Sequence, residues 1–313
     1  MGRAFITGVT GQDGSYLAEH LLQAGWEVAG LVRRTSSDGP GRVAHIPGLR
    51  LVGGDITDSG SLVRALGDCR PDAVYHLAAQ SSVSESFRQP ELTADVTGSG
   101  TVRLLEAVRV ACPGARVYQA SSSEMFGIPV ESPQRETTAL CPVSPYGAAK
   151  VFAHHLAGQY RDVHGLHVVR GILFNHESPR RSPEFVTRRI VRGALAIKRG
   201  AARSLALGNL DAERDWGWAP DYVGAMVEMM ARDVPADWLI ATGVSTSVRA
   251  FAERVFRRLD LSLDEFLVTD PGLLRPRDIP SLRGDATRAR TELGWVPSRD
   301  LDGIVEGMLE GEA

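Results

Sequence analysis

A tyrosine and a lysine four positions apart are the residues of this sequence whose types and spacing point most directly to chemistry. They are Tyr146 and Lys150, within a pattern that predicts a helix from about 145 to 164. A spacing of four places both side chains on one face of a helix, with the ammonium beside the phenol. A neighbouring positive charge lowers the pKa of a phenol, which would let Tyr146 act as a general base. The same spacing also occurs on ordinary solvated helix faces.

A serine-rich strand end precedes this pair. A predicted strand at 116–120 runs directly into the sequence Ser-Ser-Ser-Glu at 121–124. In open α/β sheets, ligands bind at the carboxyl ends of the strands. We therefore expect this strand end to share one site with the tyrosine–lysine pair.

Three glycines near the N-terminus predict a binding site for a dinucleotide. Gly8, Gly11 and Gly14 follow the first predicted strand and open the first predicted helix, with the spacing G-x-x-G-x-x-G. Gly8 permits a sharp turn, Gly11 lets the backbone approach a pyrophosphate, and Gly14 allows close packing of the helix. The helix N-terminus, with Gln12 and Asp13, offers N–H groups and positive dipole to the anion. The alternative is a purely structural turn.

The residues after the second and third predicted strands indicate which dinucleotide is bound. An NAD site carries an acidic residue after the second strand, whereas this sequence has Arg-Arg-Thr-Ser-Ser at 33–37. Guanidinium and hydroxyl groups suit a 2′-phosphate, so NADP is favoured over NAD, with Arg33 and Ser36 as contacts. Asp55 and Ile56, after the third strand, are expected to meet the adenine. Asp55 could instead cap the helix that follows.

Short apolar runs alternate with helical patterns through the first half of the chain. Strands are predicted near 4–6, 28–32, 49–52, 72–78, 116–120 and 168–174, and helices near 12–22, 61–66, 91–110 and 145–164. This alternation predicts an α/β fold, a Rossmann-type doubly wound parallel sheet with a smaller C-terminal substrate-binding domain. We expect the dinucleotide-binding domain to comprise 1–174 and about 212–244. The second domain would comprise about 175–211 and 245–313.

Composition excludes several classes of partner. The 313 residues are 43% hydrophobic and carry a formal net charge of -3, which favours neither nucleic acid nor a membrane surface. The three cysteines, Cys69, Cys112 and Cys141, lack the spacing of a metal site or a disulfide framework, so no metal is expected. No apolar stretch has the length of a membrane span. We expect a cytoplasmic protein.

These motifs together resemble the extended short-chain dehydrogenase/reductase superfamily. Longer blocks are similar to one branch of it, the GDP-mannose 4,6-dehydratases, namely 6–19, 119–124, 144–150, 171–181 and 207–217. The resemblance extends from Gly2 to about Trp295. It implies a lyase that converts GDP-mannose into GDP-4-keto-6-deoxymannose by an internal redox cycle.

The resemblance also implies catalytic roles. Tyr146, assisted by Lys150, would take the proton of the C4 hydroxyl while hydride leaves C4, and Ser122 would hydrogen-bond the same oxygen. Glu124 would then remove the C5 proton and assist the loss of water from C6, before hydride returns to C6. The alternative for Glu124 is a carboxylate that meets a helix dipole.

Further residues are assigned to ligands by the same resemblance. They are Leu77 and Ala79 for the cofactor, Gln80 and Ser81 for the hexose, Asn175 for the sugar or its phosphate, Val186 and Arg189 for the nucleotide and base, Arg214 and Arg275 for the diphosphate, and Asp278 as a second carboxylate contact. Any one of them could instead be a capping or surface residue.

Three other functions remain open at this stage: a 4-reductase, a 4-epimerase and a scaffold protein. A nucleotide-sugar 4-reductase or 4-epimerase would use the same fold without a second carboxylate. A cofactor-binding scaffold protein would tolerate a broken tyrosine–lysine pair, and this pair is intact.

The helices at 91–110 and 145–164 are expected to form a homodimer interface. A tetramer is also possible, although the loop at 36–44 is shorter than the arm through which family tetramers form.

Overall fold

The computed structural model describes residues 2–33 and 41–312, and a seven-stranded parallel sheet forms its centre. The strand order is β3-β2-β1-β4-β5-β6-β10. The first six follow the order of a doubly wound dinucleotide-binding fold, which confirms the predicted fold class. The strands of the described residues are β1 (Arg3–Thr7), β2 (Glu27–Val32), β3 (Arg50–Gly53), β4 (Ala73–His76), β5 (Arg116–Ser122), β6 (Val168–Leu173), β7 (Asn175–Glu177), β8 (Leu205–Leu207), β9 (Glu213–Trp218), β10 (Asp237–Ile240), β11 (Ser245–Ser247) and β12 (Leu267–Thr269).

Helices cover both faces of this sheet and build the C-terminal part. They are α1 (Gln12–Gln23), α2 (Ser59–Cys69), α3 (Val83–Arg88), α4 (Pro90–Thr93), α5 (Gly100–Ala111), α6 (Pro145–His164), α7 (Val186–Lys198), α8 (Ala219–Met230), α9 (Val248–Arg258), α10 (Leu263–Phe266) and α11 (Leu301–Glu310). Among residues 2–33 and 41–312, no helix combines the length and apolarity that crossing a bilayer requires.

Successive side chains along a strand point to opposite faces of the sheet and pack in two separate hydrophobic cores. Phe5 of β1 packs with α2, α5 and α6, whereas its neighbour Ile6 packs with α1 and α8. Both side chains are fully buried, and burial of such a side chain contributes about 1.5–3 kcal/mol. Because both faces are covered, buried apolar residues from successive positions of these strands pack on opposite faces, as expected of a parallel sheet.

A third core lies in the C-terminal part of the chain. It joins α7, α9 and α11 to the short strands β8 and β9, and it includes Ala212, Trp216 and Trp218. The segment 279–295 packs instead on the core of the large sheet, through Ile279 and Trp295 among others. The division of the chain into two domains at the expected boundaries stays a prediction.

The predicted helix at 91–110 is interrupted. A π-helical turn, Ala94–Ser99, separates α4 from α5. It lies beside closely packed glycines, because a Cβ on Gly100 would be 2.9 Å from Ile56 and one on Gly98 would be 3.2 Å from Phe152. Within this turn, Thr97 Oγ1 accepts a hydrogen bond of 3.1 Å from the backbone N–H of Gln80. The interruption therefore fixes the loop that follows β4, which a regular helical period could not predict.

Two glycines are required by the turn between β1 and α1. Gly8 has a φ of +74°, and a Cβ there would be 2.7 Å from the backbone nitrogen of Ala78. A Cβ on Gly14 would be 2.3 Å from the carbonyl oxygen of Gly8 and 2.7 Å from Cα of Val9. Real side chains do not tolerate such distances, so the chain can make this turn only with glycine.

Two histidines are buried near the carboxyl end of the sheet, each with a ring nitrogen beside a hydroxyl group. His76 lies between the hydroxyl groups of Thr7, at 2.7 Å, and Thr101, at 3.1 Å. His154 Nδ1 is 2.7 Å from the hydroxyl of Ser121. Burial lowers the pKa of each histidine to about 3. The folded chain therefore keeps both imidazoles neutral where the unfolded chain would protonate them.

Gly14→Ala tests the requirement of the glycine turn. We expect this variant to lower the free energy of unfolding by about 1–3 kcal/mol, because the methyl group overlaps fixed backbone atoms. The matched control is Gly224→Ala, also in a helix, where no atom lies within 4 Å of the new Cβ. The control should gain up to about 1 kcal/mol from helix propensity. Urea unfolding measures both, and equal changes in the two variants would refute the close approach.

The buried histidines make stability depend on pH. Above about pH 6.5, the pKa of a histidine in the unfolded chain, both states are neutral and folding stability is at its full value. As the pH falls from there towards about 3, the unfolded chain binds protons that the folded chain does not, so the free energy of unfolding decreases. Each should lower the free energy of unfolding by up to about 1.4 kcal/mol per pH unit in that window. Unfolding at pH 7.5, 6.0 and 5.0 should give a shallower slope for His154→Gln than for the unsubstituted chain. The control, His20→Gln on an exposed position, should keep the full slope; an unchanged slope in His154→Gln contradicts the argument.

Candidate functional site

The carboxyl ends of β1, β4, β5 and β6 open into one cleft of about 1270 Å³. A pocket for one drug-sized ligand has about 300–1,000 Å³, so this cleft has room for a dinucleotide and a second ligand. Most residues that the sequence singles out line it. They are Gly8, Gly11, Gln12, Asp13, Gly14, Arg33, Asp55, Ile56, Leu77, Ala79, Gln80, Ser81, Ser122, Glu124, Tyr146, Lys150, Asn175 and Arg275.

The tyrosine–lysine pair lies on the first turns of α6, as the spacing predicts. Ser144 caps this helix, since its hydroxyl accepts a hydrogen bond of 3.0 Å from the backbone N–H of Gly147. Lys150 Nζ donates to the carbonyl oxygen of Ala120 at 2.8 Å and lies 5.9 Å from the centroid of the Tyr146 ring. Burial lowers the pKa of Lys150 to about 8. The ammonium thus joins α6 to the end of β5.

The acidity of Tyr146 differs from the sequence-based expectation. Burial raises its pKa to about 12, and the hydrogen bond with Ser122 offsets only part of this rise. Lys150 is nearby but does not reverse the direction, because the loss of water around the phenol has the larger effect. The groups of the chain alone therefore hold Tyr146 in its protonated form.

Glu124 follows Ser122 at the end of β5, in a 3₁₀ turn formed by Ser123–Met125. The backbone N–H of Glu124 donates to the Ser122 hydroxyl at 3.2 Å. Its carboxylate is 10% exposed, and its Oε1 lies 3.8 Å from Nη1 of Arg275. Glu124 lines the cleft that also holds Tyr146. A phenol, a hydroxyl and a carboxylate thus converge on one cavity.

The glycine turn fits the pyrophosphate of a dinucleotide. Gly8, Gly11 and Gly14 line the cleft without side chains, and α1 begins within this lining at Gln12, where a helix N-terminus offers N–H groups to an anion. Gln12 anchors this turn, since its Nε2 donates to the carbonyl oxygen of His176 at 3.1 Å. The residues present therefore match the group that the sequence implies.

An ion pair links this turn to the segment after β6. His176 Nε2 lies 2.9 Å from Oδ2 of Asp13, and Nδ1 lies 2.7 Å from the carbonyl oxygen of Phe174. Burial alone would lower the pKa of His176 and raise that of Asp13, but the pair reverses both directions. His176 and the neighbouring Arg181 also line the cleft, although neither was expected to contact the cofactor. Both lie in the block 171–181 that resembles the family, which was their signal in the sequence.

Arg33, Asp55 and Ile56 line the cleft, and their contacts with the adenine end of a cofactor stay predictions. Ser36 lies outside the described residues. Asp55 Oδ1 accepts from the backbone N–H and the hydroxyl of Thr57, at 2.8 and 2.7 Å. Asp58, and not Asp55, caps α2. The capping alternative for Asp55 is therefore wrong. Arg42, which the sequence did not single out, also lines the cleft.

Four of the residues expected to bind substrate lie beside the cleft and do not line it: Val186, Arg189, Arg214 and Asp278. The first two are half-buried on the first turn of α7. Arg214 is held by Asp278 at 3.1 Å and by the carbonyl oxygen of Ile279 at 2.8 Å. Asp278 also accepts hydrogen bonds from Asn209 and Arg275, so its carboxylate is engaged by the protein itself.

Comparison with known proteins agrees with this geometry. The family model described as GDP-mannose 4,6 dehydratase matches residues 5–308. A GDP-mannose 4,6-dehydratase of Vibrio cholerae serotype O1 is 44% identical, over 99% of this chain and 93% of the relative.

Two solved structures share the fold across nearly the whole chain. RMD from Pseudomonas aeruginosa complexed with NADPH is 25% identical with a TM-score of 0.83, covering 99% of this chain and 98% of that chain. DesIV, a dTDP-glucose 4,6-dehydratase from Streptomyces venezuelae with NAD and TYD bound, is 26% identical with a TM-score of 0.86, covering 98% and 97%. A nicotinamide cofactor is therefore common to this fold. The full-length family match and the convergence of Tyr146, Ser122 and Glu124 lead to one conclusion: the chain belongs to the GDP-mannose 4,6-dehydratase family of the extended short-chain dehydrogenases/reductases.

Proposed function

We propose that the protein converts GDP-mannose into GDP-4-keto-6-deoxymannose by an internal redox cycle that uses NADP. The observation that carries the proposal is the presence of Glu124 in the same cleft as Tyr146 and Ser122. A 4-reductase or a 4-epimerase needs the phenol and the cofactor but no second carboxylate. Removal of water from C5 and C6 needs one.

The first half of the reaction is an oxidation at C4. A nicotinamide cofactor, when bound, accepts hydride from C4 and later donates it to C6, and its oxidised ring carries a positive charge. Tyr146 takes the proton of the C4 hydroxyl, and Ser122 donates a hydrogen bond to the same oxygen. Positive charge in the cleft, including that of Lys150, favours the phenolate against the burial that raises its pKa to about 12.

The second half is an elimination and a reduction. The new ketone acidifies the C5 proton, which Glu124 removes. Glu124 then donates this proton to the departing C6 hydroxyl, which leaves as water. Hydride at C6 and the proton held by Tyr146, transferred to C5, complete the 4-keto-6-deoxy sugar. Two protons are taken up and two are returned, so neither proton nor cofactor is consumed.

Basic residues of the chain support NADP as the cofactor. Arg33 follows β2, where an NAD site carries an acidic side chain, and it lines the cleft. Arg42 lies on the same side, with its Nη1 donating to the carbonyl oxygen of Thr10 at 3.3 Å. Two guanidinium groups in this position suit a 2′-phosphate.

The substrate is assigned to the opposite end of the cleft. Arg275 and the buried Arg214 behind it are proposed to hold the diphosphate, because bidentate guanidinium groups match phosphate oxygens. Gln80, Ser81 and Asn175 are proposed to contact the hexose. Val186 and Arg189 remain the proposed contacts of the nucleoside, as the family resemblance implies.

We also expect a cytoplasmic homodimer, with a tetramer as the second possibility. Leu92 and Phe152, on the helices expected to form the interface, are 46% and 47% exposed. The three cysteines are free, in keeping with a reducing compartment.

Glu124→Gln tests the proposed reaction. This variant keeps the shape of the side chain but removes the base, so oxidation at C4 should persist while product formation falls by at least about 100-fold. Absorbance of NADPH and the mass of the nucleotide sugar report the two steps. The control Glu136→Gln changes a carboxylate that bonds the backbone of Leu239 and does not line the cleft. If Glu124→Gln still forms the dehydrated sugar at full rate, the dehydratase assignment fails.

Arg33→Ala tests the choice of cofactor. Loss of a charge-assisted contact of about 1.5–3 kcal/mol should weaken binding of NADP by about 10-fold or more. Binding of NAD should change little, because it lacks the 2′-phosphate. Titration calorimetry with both dinucleotides measures the difference, and the exposed Arg203→Ala serves as a control. Equal weakening for NADP and NAD would show that Arg33 does not read the 2′-phosphate.

A further inference from the structure

Glu124 and Asp278 share a cluster of four charges with Arg275 and Arg214. Arg275 Nη1 lies 3.8 Å from Glu124 Oε1 and 3.3 Å from Asp278 Oδ1. Arg214 Nη2 lies 3.1 Å from the same oxygen of Asp278. The two negative charges of the carboxylates therefore equal the two positive charges of the guanidinium groups when no further anion is bound. Among the described residues, Arg275 is the only cation within ion-pair distance of Glu124.

The two arginines differ in their freedom to change partner. The side chain of Arg214 is 7% exposed, and its Nη1 donates to the carbonyl oxygens of Glu213 and Ile279, both at 2.8 Å. The side chain of Arg275 is 29% exposed and lines the cleft. Its ion-pair partners within 2–33 and 41–312 are the two carboxylates. Arg214 is fixed by main-chain atoms. Arg275 can turn towards an incoming anion while it keeps Asp278.

We propose that Arg275 is shared between Glu124 and the diphosphate of the substrate, so that docking of the diphosphate releases Glu124 to act as the base. This inference rests on the proposed function. It adds a condition to that function, because the carboxylate becomes reactive only when a nucleotide sugar occupies the cleft.

The physical reason lies in competition for one guanidinium group. A cation within about 4–6 Å stabilises a carboxylate as the anion and weakens it as a base. A diphosphate brings at least two negative charges and bidentate acceptors, which a guanidinium prefers to a single carboxylate oxygen at 3.8 Å. Once Arg275 turns away, the charged and ionisable groups near Glu124 are Tyr146, the substrate and Arg214, which main-chain atoms and Asp278 hold in place. Glu124 can then take the C5 proton without breaking an ion pair with Arg275.

Arg275 would accordingly be a positioning residue for the elimination as well as a binding residue. A purely binding role predicts that its loss raises KM and leaves the saturated rate unchanged. A shared role predicts an effect on the rate that depends on whether the substrate carries a diphosphate.

The test uses two substrates, GDP-mannose and mannose 1-phosphate, which lacks the second phosphate and the nucleoside. In the unsubstituted enzyme, Glu124 keeps its pairing with Arg275 more fully when only the monophosphate is present, and elimination at saturation should be slow. In Arg275→Gln the cation that lies within ion-pair distance of Glu124 is removed. This variant should dehydrate mannose 1-phosphate at least about 10-fold faster than the unsubstituted enzyme, although its KM for GDP-mannose rises.

Controls separate this effect from damage to the protein. Arg275→Lys keeps a cation beside Glu124 and should behave like the unsubstituted enzyme towards mannose 1-phosphate. Arg189→Gln removes a cation on α7 and should alter KM without any gain on the short substrate. Thermal unfolding and NADP binding verify that each variant is folded.

The outcomes are distinguishable. If Arg275→Gln is no faster than the unsubstituted enzyme on mannose 1-phosphate, including when neither reacts measurably, the sharing of Arg275 is overturned. If the unsubstituted enzyme does not dehydrate GDP-mannose, the proposed function fails instead.

Discussion

A single buried ammonium determines the arrangement of the site. Lys150 Nζ donates to the carbonyl oxygen of Ala120 at 2.8 Å and so ties α6 to the last residues of β5. Tyr146 lies one helical turn before this bond, and Ser122 and Glu124 lie two and four residues beyond it. This contact joins the two segments that carry the phenol and the carboxylate, so it helps to fix their relative position. Two further polar contacts join the same helix and strand end, the hydrogen bond between Tyr146 and Ser122 and the 2.7 Å contact between His154 Nδ1 and the Ser121 hydroxyl.

Local patterns allowed much of this site to be predicted from the sequence. The glycine spacing, the tyrosine–lysine spacing and the alternation of apolar runs each depend on a few neighbouring residues, and each corresponds to one turn, helix face or strand. The parallel order of the strands then brings their carboxyl ends together. This is why Gln80, Glu124 and Asn175, distant in sequence, were correctly expected in one cleft.

What escaped prediction depends on contacts between remote segments. Asp13 and His176 are 163 residues apart, and no local pattern indicates that they pair. The hydrogen bonds that Asp278 accepts from Arg214 and Asn209 also join separate segments, and its contact with the substrate stays a prediction. The raised pKa of Tyr146 follows from burial, which depends on how tightly the surrounding elements pack and cannot be read from a spacing of four.

The central claim is that hydride leaves C4 and returns to C6 of the same sugar while Glu124 removes water between the two events. The most direct measurement uses GDP-mannose labelled with deuterium at C4 and locates the label in the product by NMR. The account requires the deuterium at C6 of a 4-keto-6-deoxy sugar, formed without net change in NADPH. Deuterium that remains at C4 of an undehydrated hexose, or that accumulates in free cofactor, would contradict it.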